Sequence, residues 1–147
     1  RNMLQQLSVF VENEVGSVAK VTHVLKENKI NLRAISAFDS PDYGILRIIV
    51  DQPMKAKELL ISSGFAVIVK EVLAIELKDQ PGDLDYVLSI LAAENINLNY
   101  IYSFVFRKEN APLMVINIDH MEKAVTVLRN NYTLWFCTRK VIDEIDR

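Results

Sequence analysis

The sequence predicts an α+β chain of two βαββαβ units in tandem, each with its helices on one face of an antiparallel sheet. Two observations predict it: the halves repeat one another, and apolar spacing within each half switches between period two and helical period. The repeat runs at an offset of 66 residues, from Gly16 to Gly82. It carries Val18 onto Leu84, Val21 onto Val87, Leu25 onto Leu91, and Ile30-Asn31-Leu32 onto Ile96-Asn97-Leu98. Further along, the offset becomes 68, pairing Val50-Asp51 with Ile118-Asp119, Ala56 with Ala124 and Leu60 with Leu128. The two additional residues fall in the loop at 107–111.

Each element follows from this pattern. Leu7, Val9 and Val11 alternate as a half-buried first strand should, and so do Leu73, Ile75 and Leu77. The spacing then becomes helical, with Val18, Val21, Thr22 and Leu25 on one stripe and Leu84, Val87, Leu88 and Leu91 on its counterpart. Second and third strands are predicted at 31–38 and 45–50, joined through the turn formers Asp39-Ser40-Pro41-Asp42, and at 97–106 and 113–118. Second helices follow at 54–63 and 121–131, then fourth strands at 65–69 and 134–137. Right-handed crossovers put both helices of a unit on the same sheet face, which makes each unit ferredoxin-like.

The 147 residues suit one medium domain or two small ones. Half-length domains are marginal alone. With no flexible linker between Val69 and Leu73, domains at 1–70 and 71–147 are expected to dock directly. Open sheet edges favour association with another copy, so a homodimer is expected. Hydrophobic residues at 50% and charged residues at 24% describe an ordinary folded chain. A net charge of -2 supplies no positive field for polyanions, which disfavours nucleic acid as a partner. Cys137 is the only cysteine, which excludes an intrachain disulfide and a zinc site of several thiolates. No apolar run approaches the roughly 20 residues needed to span a bilayer, and residues 1–6 lack a signal-peptide core. A cytoplasmic protein without a membrane partner is expected, its native start at Met3.

The turn between first strand and first helix is the most informative local feature: Asn13-Glu14-Val15-Gly16-Ser17-Val18 and Asp79-Gln80-Pro81-Gly82-Asp83-Leu84. Glycine before a helix permits a strained turn and lets a ligand approach the main chain without meeting a Cβ. Exposed N–H groups at the helix start attract a carboxylate. Asn13 and Asp79 are placed to face an ammonium group or polar side chain, so the combination suits a zwitterion. Read structurally instead, Pro and Gly shape a turn, and Ser17 or Asp83 caps a helix. Asn31 and Asn97 also recur at the start of strand two, as amide donors and acceptors or as helix-terminating residues in left-handed geometry.

The repeat, with Asp79-Gln80-Pro81-Gly82-Asp83-Leu84, a helix and then Asn95-Ile96-Asn97-Leu98, resembles an ACT domain, and the first half is similar. Together the two cover nearly the whole chain. The resemblance implies a stand-alone tandem regulatory protein that binds a free amino acid at interfaces between paired units. In such units the turn of one and strand two of its neighbour hold the ligand. Position by position, it implies Asp79, Pro81, Gly82, Asp83, Leu84, Asn97 and Leu98 as the stronger set. Asn13, Gly16, Ser17, Val18, Asn31 and Leu32 form the first-half set, where Val15 replaces a common Pro. A biosynthetic enzyme or regulator is the implied protein partner.

Rival readings are an enzyme, an RNA-binding sheet and a protein-pairing module without a ligand. The enzyme lacks its parts: His23 reads as a surface residue, His120 begins a helix, and Cys137 sits beside Trp135 and Phe136 as an inert thiol. No catalytic residue, cofactor or metal is expected. Tyr100, Tyr102, Phe104 and Phe106 alternate as base-stacking residues do, but without a basic field they read as a covered sheet face.

Overall fold

A computed structural model describes residues 4–39, 43–78, 80–104 and 112–135. The chain divides into two compact units, one of residues 5–70 and the other of residues 1–4 with 71–147. The first contains β1 (Leu4–Val11), α1 (Ser17–Glu27), β2 (Leu32–Asp39), β3 (Gly44–Val50) and α2 (Pro53–Ser62). Next comes β4 (Ala66–Glu76), an eleven-residue strand that crosses the boundary at 70/71. The second unit continues with α3 (Asp83–Ala93), β5 (Leu98–Ser103), β6 (Leu113–Ile118), α4 (Met121–Leu128) and β7 (Thr133–Trp135).

Both units are α+β and ferredoxin-like. The strand order is β2-β3-β1-β4 in the first and β5-β6-β4 with β7 beside β4 in the second. In the first, β1 and β3 pair antiparallel with Val9 opposite Leu46, and β2 joins β3 with Ile35 opposite Ile48. The second repeats this register, with Leu73 opposite Ile116 and Ile101 opposite Ile116 from the other side. Between Leu32 and Ala34, and again between Leu98 and Tyr100, the edge pairing shifts by a bulge.

The cores are duplicated too. Leu7, Val9, Val11, Val21, Leu25, Ile30, Ile48, Val50, Ala56 and Leu60 are buried in the first. Their repeat partners Leu73, Ile75, Leu77, Val87, Leu91, Ile96, Ile116, Ile118, Ala124 and Leu128 are buried in the second. Each fully buried aliphatic side chain contributes about 1.5–3 kcal/mol, so matching the apolar pattern specifies the same packing twice.

Element ends differ from the sequence expectation by a few residues. The predicted fourth strand of the first half and first strand of the second are one strand, β4, which runs unbroken from Ala66 to Glu76. The second helix of the second half stops at Leu128, where the Asn131 and Tyr132 N–H groups both donate to the Leu128 carbonyl. Residues 40–42, 105–111 and 136–147 lie outside the described residues, and with them Phe106, Phe136, Cys137 and the loop expected to hold the repeat's insertion.

Candidate functional site

Both glycines adopt the left-handed conformation the turns require, Gly16 at φ 87° and Gly82 at φ 82°. A Cβ built on either meets nothing within 4 Å, so their main chain is open to approach. The first bond of the α1 ladder runs from the Lys20 N–H to the Gly16 carbonyl (3.0 Å), and that of α3 from the Tyr86 N–H to the Gly82 carbonyl (3.0 Å). Of the amides ahead of the α1 bond, the Ser17 N–H already donates to the Glu14 carbonyl (3.3 Å); the others have no partner inside the helix. No side chain caps either helix start.

The two turns diverge in charge. The first turn of α1 contains no acidic residue, whereas that of α3 contains Asp83 and Asp85. Negative side chains there already satisfy the helix dipole. Asp83 is 4% exposed and accepts from the Lys78 N–H through Oδ2 (2.7 Å) and from the Tyr132 hydroxyl through Oδ1 (2.9 Å). Lys78 Nζ lies 5.4 Å from the Tyr132 ring centroid, and the Tyr86 ring packs against the same ring at 6.4 Å between centroids. Burial first, then the bond to Asp83 and the field of that carboxylate, push the Tyr132 pKa up to about 12. Asp83 thus closes its own turn and does not cap the helix.

Of the other candidates, Asn13 and Pro81 are exposed at the turns. Ser17 is buried, while Val18 and Leu84 stay exposed at matching helix positions. Asp79 lies outside the described residues. Asn31 is exposed and held through its backbone: its N–H donates to Asp51 Oδ1 (3.1 Å), and its carbonyl accepts the Asp51 N–H (3.2 Å). The Asn97 carbonyl accepts the Asp119 N–H (3.0 Å), and its side-chain amide donates to Asn99 Oδ1 (2.8 Å). Leu32 and Leu98 are half-buried at the starts of β2 and β5. Neither Asn is the left-handed helix terminator; Lys29 (φ 55°) and Asn95 (φ 56°) are.

Within one unit these candidates form two groups. The eleven residues of α1 separate the Gly16 turn from Asn31 and Leu32, and the eleven of α3 separate the Gly82 turn from Asn97 and Leu98. At a rise of about 1.5 Å per residue the separation is roughly 16 Å, beyond the reach of a single free amino acid. Asn31 and Leu32 line a cavity of about 460 Å³ with Lys26 and Lys29.

The first turn borders another cavity of about 460 Å³, which brings Ser17 together with Phe10, Glu12, Glu14, Lys20, Tyr43 and Phe65. Lys20 and Phe65 also line an adjoining hollow of about 500 Å³ beside Gly16. Sequence reasoning missed these polar residues because it looked for positions where the halves agree. The signal lies where they disagree: Glu12 against Lys78, Ser17 against Asp83, Lys20 against Tyr86. His23 is on the surface of α1, 3.7 Å from Glu27. Among the described residues, no three His, Cys, Asp or Glu groups are placed to hold a metal ion, and no helix is long and apolar enough to cross a membrane.

Comparison with known proteins adds three findings. The family model described as an ACT domain pair matches residues 2–145. Protein BT0572 from Bacteroides thetaiotaomicron superposes with a TM-score of 0.85 at 37% identity, over 93% of this chain and 94% of that one. The ligand-free regulatory subunit of aspartate kinase from Thermus thermophilus shares the fold, with a TM-score of 0.64 at 17% identity, over 88% of this chain and 93% of that one. No curated protein matches the chain.

Proposed function

The chain belongs to the ACT domain family, and from that premise we propose that it is a non-catalytic regulatory protein that senses a free amino acid. Its two ACT domains are residues 1–70 and 71–147, and it works as a homodimer in the cytoplasm, modulating a biosynthetic enzyme or regulator. A regulatory subunit of aspartate kinase with the same fold is in keeping with that role.

The observation that carries the reading is the open main chain at Gly16: a left-handed glycine with no atom near its absent Cβ, ahead of an uncapped helix start without acidic residues. A ligand carboxylate there meets N–H donors and the positive end of α1. The start of β2 is roughly 16 Å away in the same unit. A second copy therefore supplies the strand-two residues to a ligand seated on the turn. Exposed Val15, Val18, Leu84 and Tyr86 around the two turns are the apolar surface such pairing covers.

Thermal melting against the common amino acids tests this. A ligand at 100 times its dissociation constant stabilises the chain by about 2.7 kcal/mol, so at least one amino acid raises the melting temperature. Gly16→Ala, which places a Cβ at the approach, reduces that shift. An unchanged melting temperature with every amino acid overturns the reading.

A further inference from the structure

The two units end their first helices alike but furnish those ends differently. In the first unit a cavity of about 460 Å³ is formed by residues of the end of α1 and the start of β2, with Lys26 and Lys29 beside Thr22, Leu25, Ile30 and Leu32. That volume lies within the range of small-molecule sites. At the offset of 66, Leu25, Ile30 and Leu32 recur as Leu91, Ile96 and Leu98, whereas Thr22 becomes Leu88, Lys26 becomes Ala92 and Lys29 becomes Asn95. The apolar residues are therefore common to both halves, and the cations belong to the first alone. Among the described residues, no carboxylate lines the cavity.

Lysines at a helix end ordinarily offset the negative end of its dipole. Here that work is already done by other groups. The Asn28 side-chain amide donates to the Val24 carbonyl (2.8 Å), and Lys55 Nζ donates to the Asn28 carbonyl (3.4 Å). The Leu25 carbonyl accepts the Ile30 N–H (2.9 Å), and the Lys26 carbonyl accepts the Lys29 N–H (3.1 Å). Lys123, the counterpart of Lys55, donates to the Glu94 carbonyl at the end of α3, so α3 ends in the same way with neither of the other two lysines. Lys26 and Lys29 are exposed, and among the described residues neither ammonium has a hydrogen-bond or ion-pair partner. Lys29 also stands at φ 55°, a conformation costlier for lysine than for the asparagine that the second unit places there. Backbone strain of this kind gathers at ligand sites.

We propose that this cavity of the first unit binds a small phosphate monoester, with Lys26 and Lys29 on the phosphate and the organic part of the molecule against Leu32. The two lysines are three positions apart, a spacing at which side chains share one face of a helical turn, so both ammonium groups reach a single anion. Two neighbouring cations repel one another until a dianion lies between them. The inference goes beyond the amino-acid-sensing reading: its ligand is an anion of another class, and its two cations belong to neither the turns nor the strand-two group.

Isothermal titration of the full chain with phenyl phosphate, phenol and glutarate tests it, at one fixed ionic strength because salt screens exposed charges. Phenyl phosphate binds saturably, while phenol and the dicarboxylate glutarate bind at least about 10-fold more weakly. The double variant Lys26→Ala with Lys29→Asn gives these exposed positions the residues that the second unit carries in the same fold. It weakens phenyl phosphate binding at least about 10-fold through loss of charge-assisted hydrogen bonds. Lys70→Gln, which removes an exposed lysine outside the cavity, leaves binding unchanged. Glutarate or phenol binding as tightly as phenyl phosphate overturns the ligand class. Absence of phenyl phosphate binding, binding unchanged by the double variant, or equal weakening by Lys70→Gln overturns the site. Melting against amino acids decides the sensing reading separately, so either proposal can fail while the other stands.

Discussion

Asp83 and Tyr132 are 49 positions apart, yet the tyrosine hydroxyl donates to the carboxylate at 2.9 Å and both residues are buried. Removing the hydroxyl leaves a buried carboxylate oxygen without its partner, which costs about 1–3 kcal/mol. Tyr132→Phe is therefore expected to lower the unfolding free energy obtained from urea curves by about 1–3 kcal/mol. The proton is bound more tightly in the folded chain, where the pKa rises from 10.0 to about 12. The contribution of the hydroxyl is complete below pH 10 and fades as pH climbs through about 12. Urea curves across that window should show the gap between wild type and Tyr132→Phe narrowing. The sequence pairs nothing here: Asp83 reads as a helix cap or a ligand-binding residue, and Tyr132 carries no signal of its own. Only the fold brings them together.

At the scale of elements, apolar period fixes existence and order while the ends depend on tertiary demand. Both first helices end through a residue in left-handed geometry, followed by a buried isoleucine whose N–H reaches back to a leucine carbonyl: Ile30 to Leu25 and Ile96 to Leu91, each at 2.9 Å. A lysine from the following helix donates to a carbonyl at the same helix end, Lys55 to Asn28 (3.4 Å) and Lys123 to Glu94 (2.6 Å). Lysine has no intrinsic preference for φ 55°, so Lys29 gives no signal of its own; burial of Ile30 imposes the conformation. Lys29→Gly should relieve that strain and stabilise the chain by roughly 0.5–1 kcal/mol, read as a raised denaturation midpoint. Asn95, whose side chain tolerates left-handed geometry better, offers less to gain from the same change.

For the whole molecule, duplication made the architecture readable, because every buried position predicted in one half was checked by its counterpart in the other. The same habit hid the cavity beside the first turn, which exists through divergence between the halves. It set the turn of one unit against strand two of its neighbour, and within each unit an eleven-residue helix stands between the two groups. That helix acts as a spacer with a consequence for mass action. A ligand that needs the turn of one copy and the strand of another binds only to associated copies, so its apparent affinity falls when the chain is diluted below its dimerisation constant. One seated wholly in the cavity at the end of α1 ignores dilution. Titrations repeated over a hundredfold range of chain concentration, about two decades of mass action, therefore separate a receptor assembled by association from one that each molecule carries by itself.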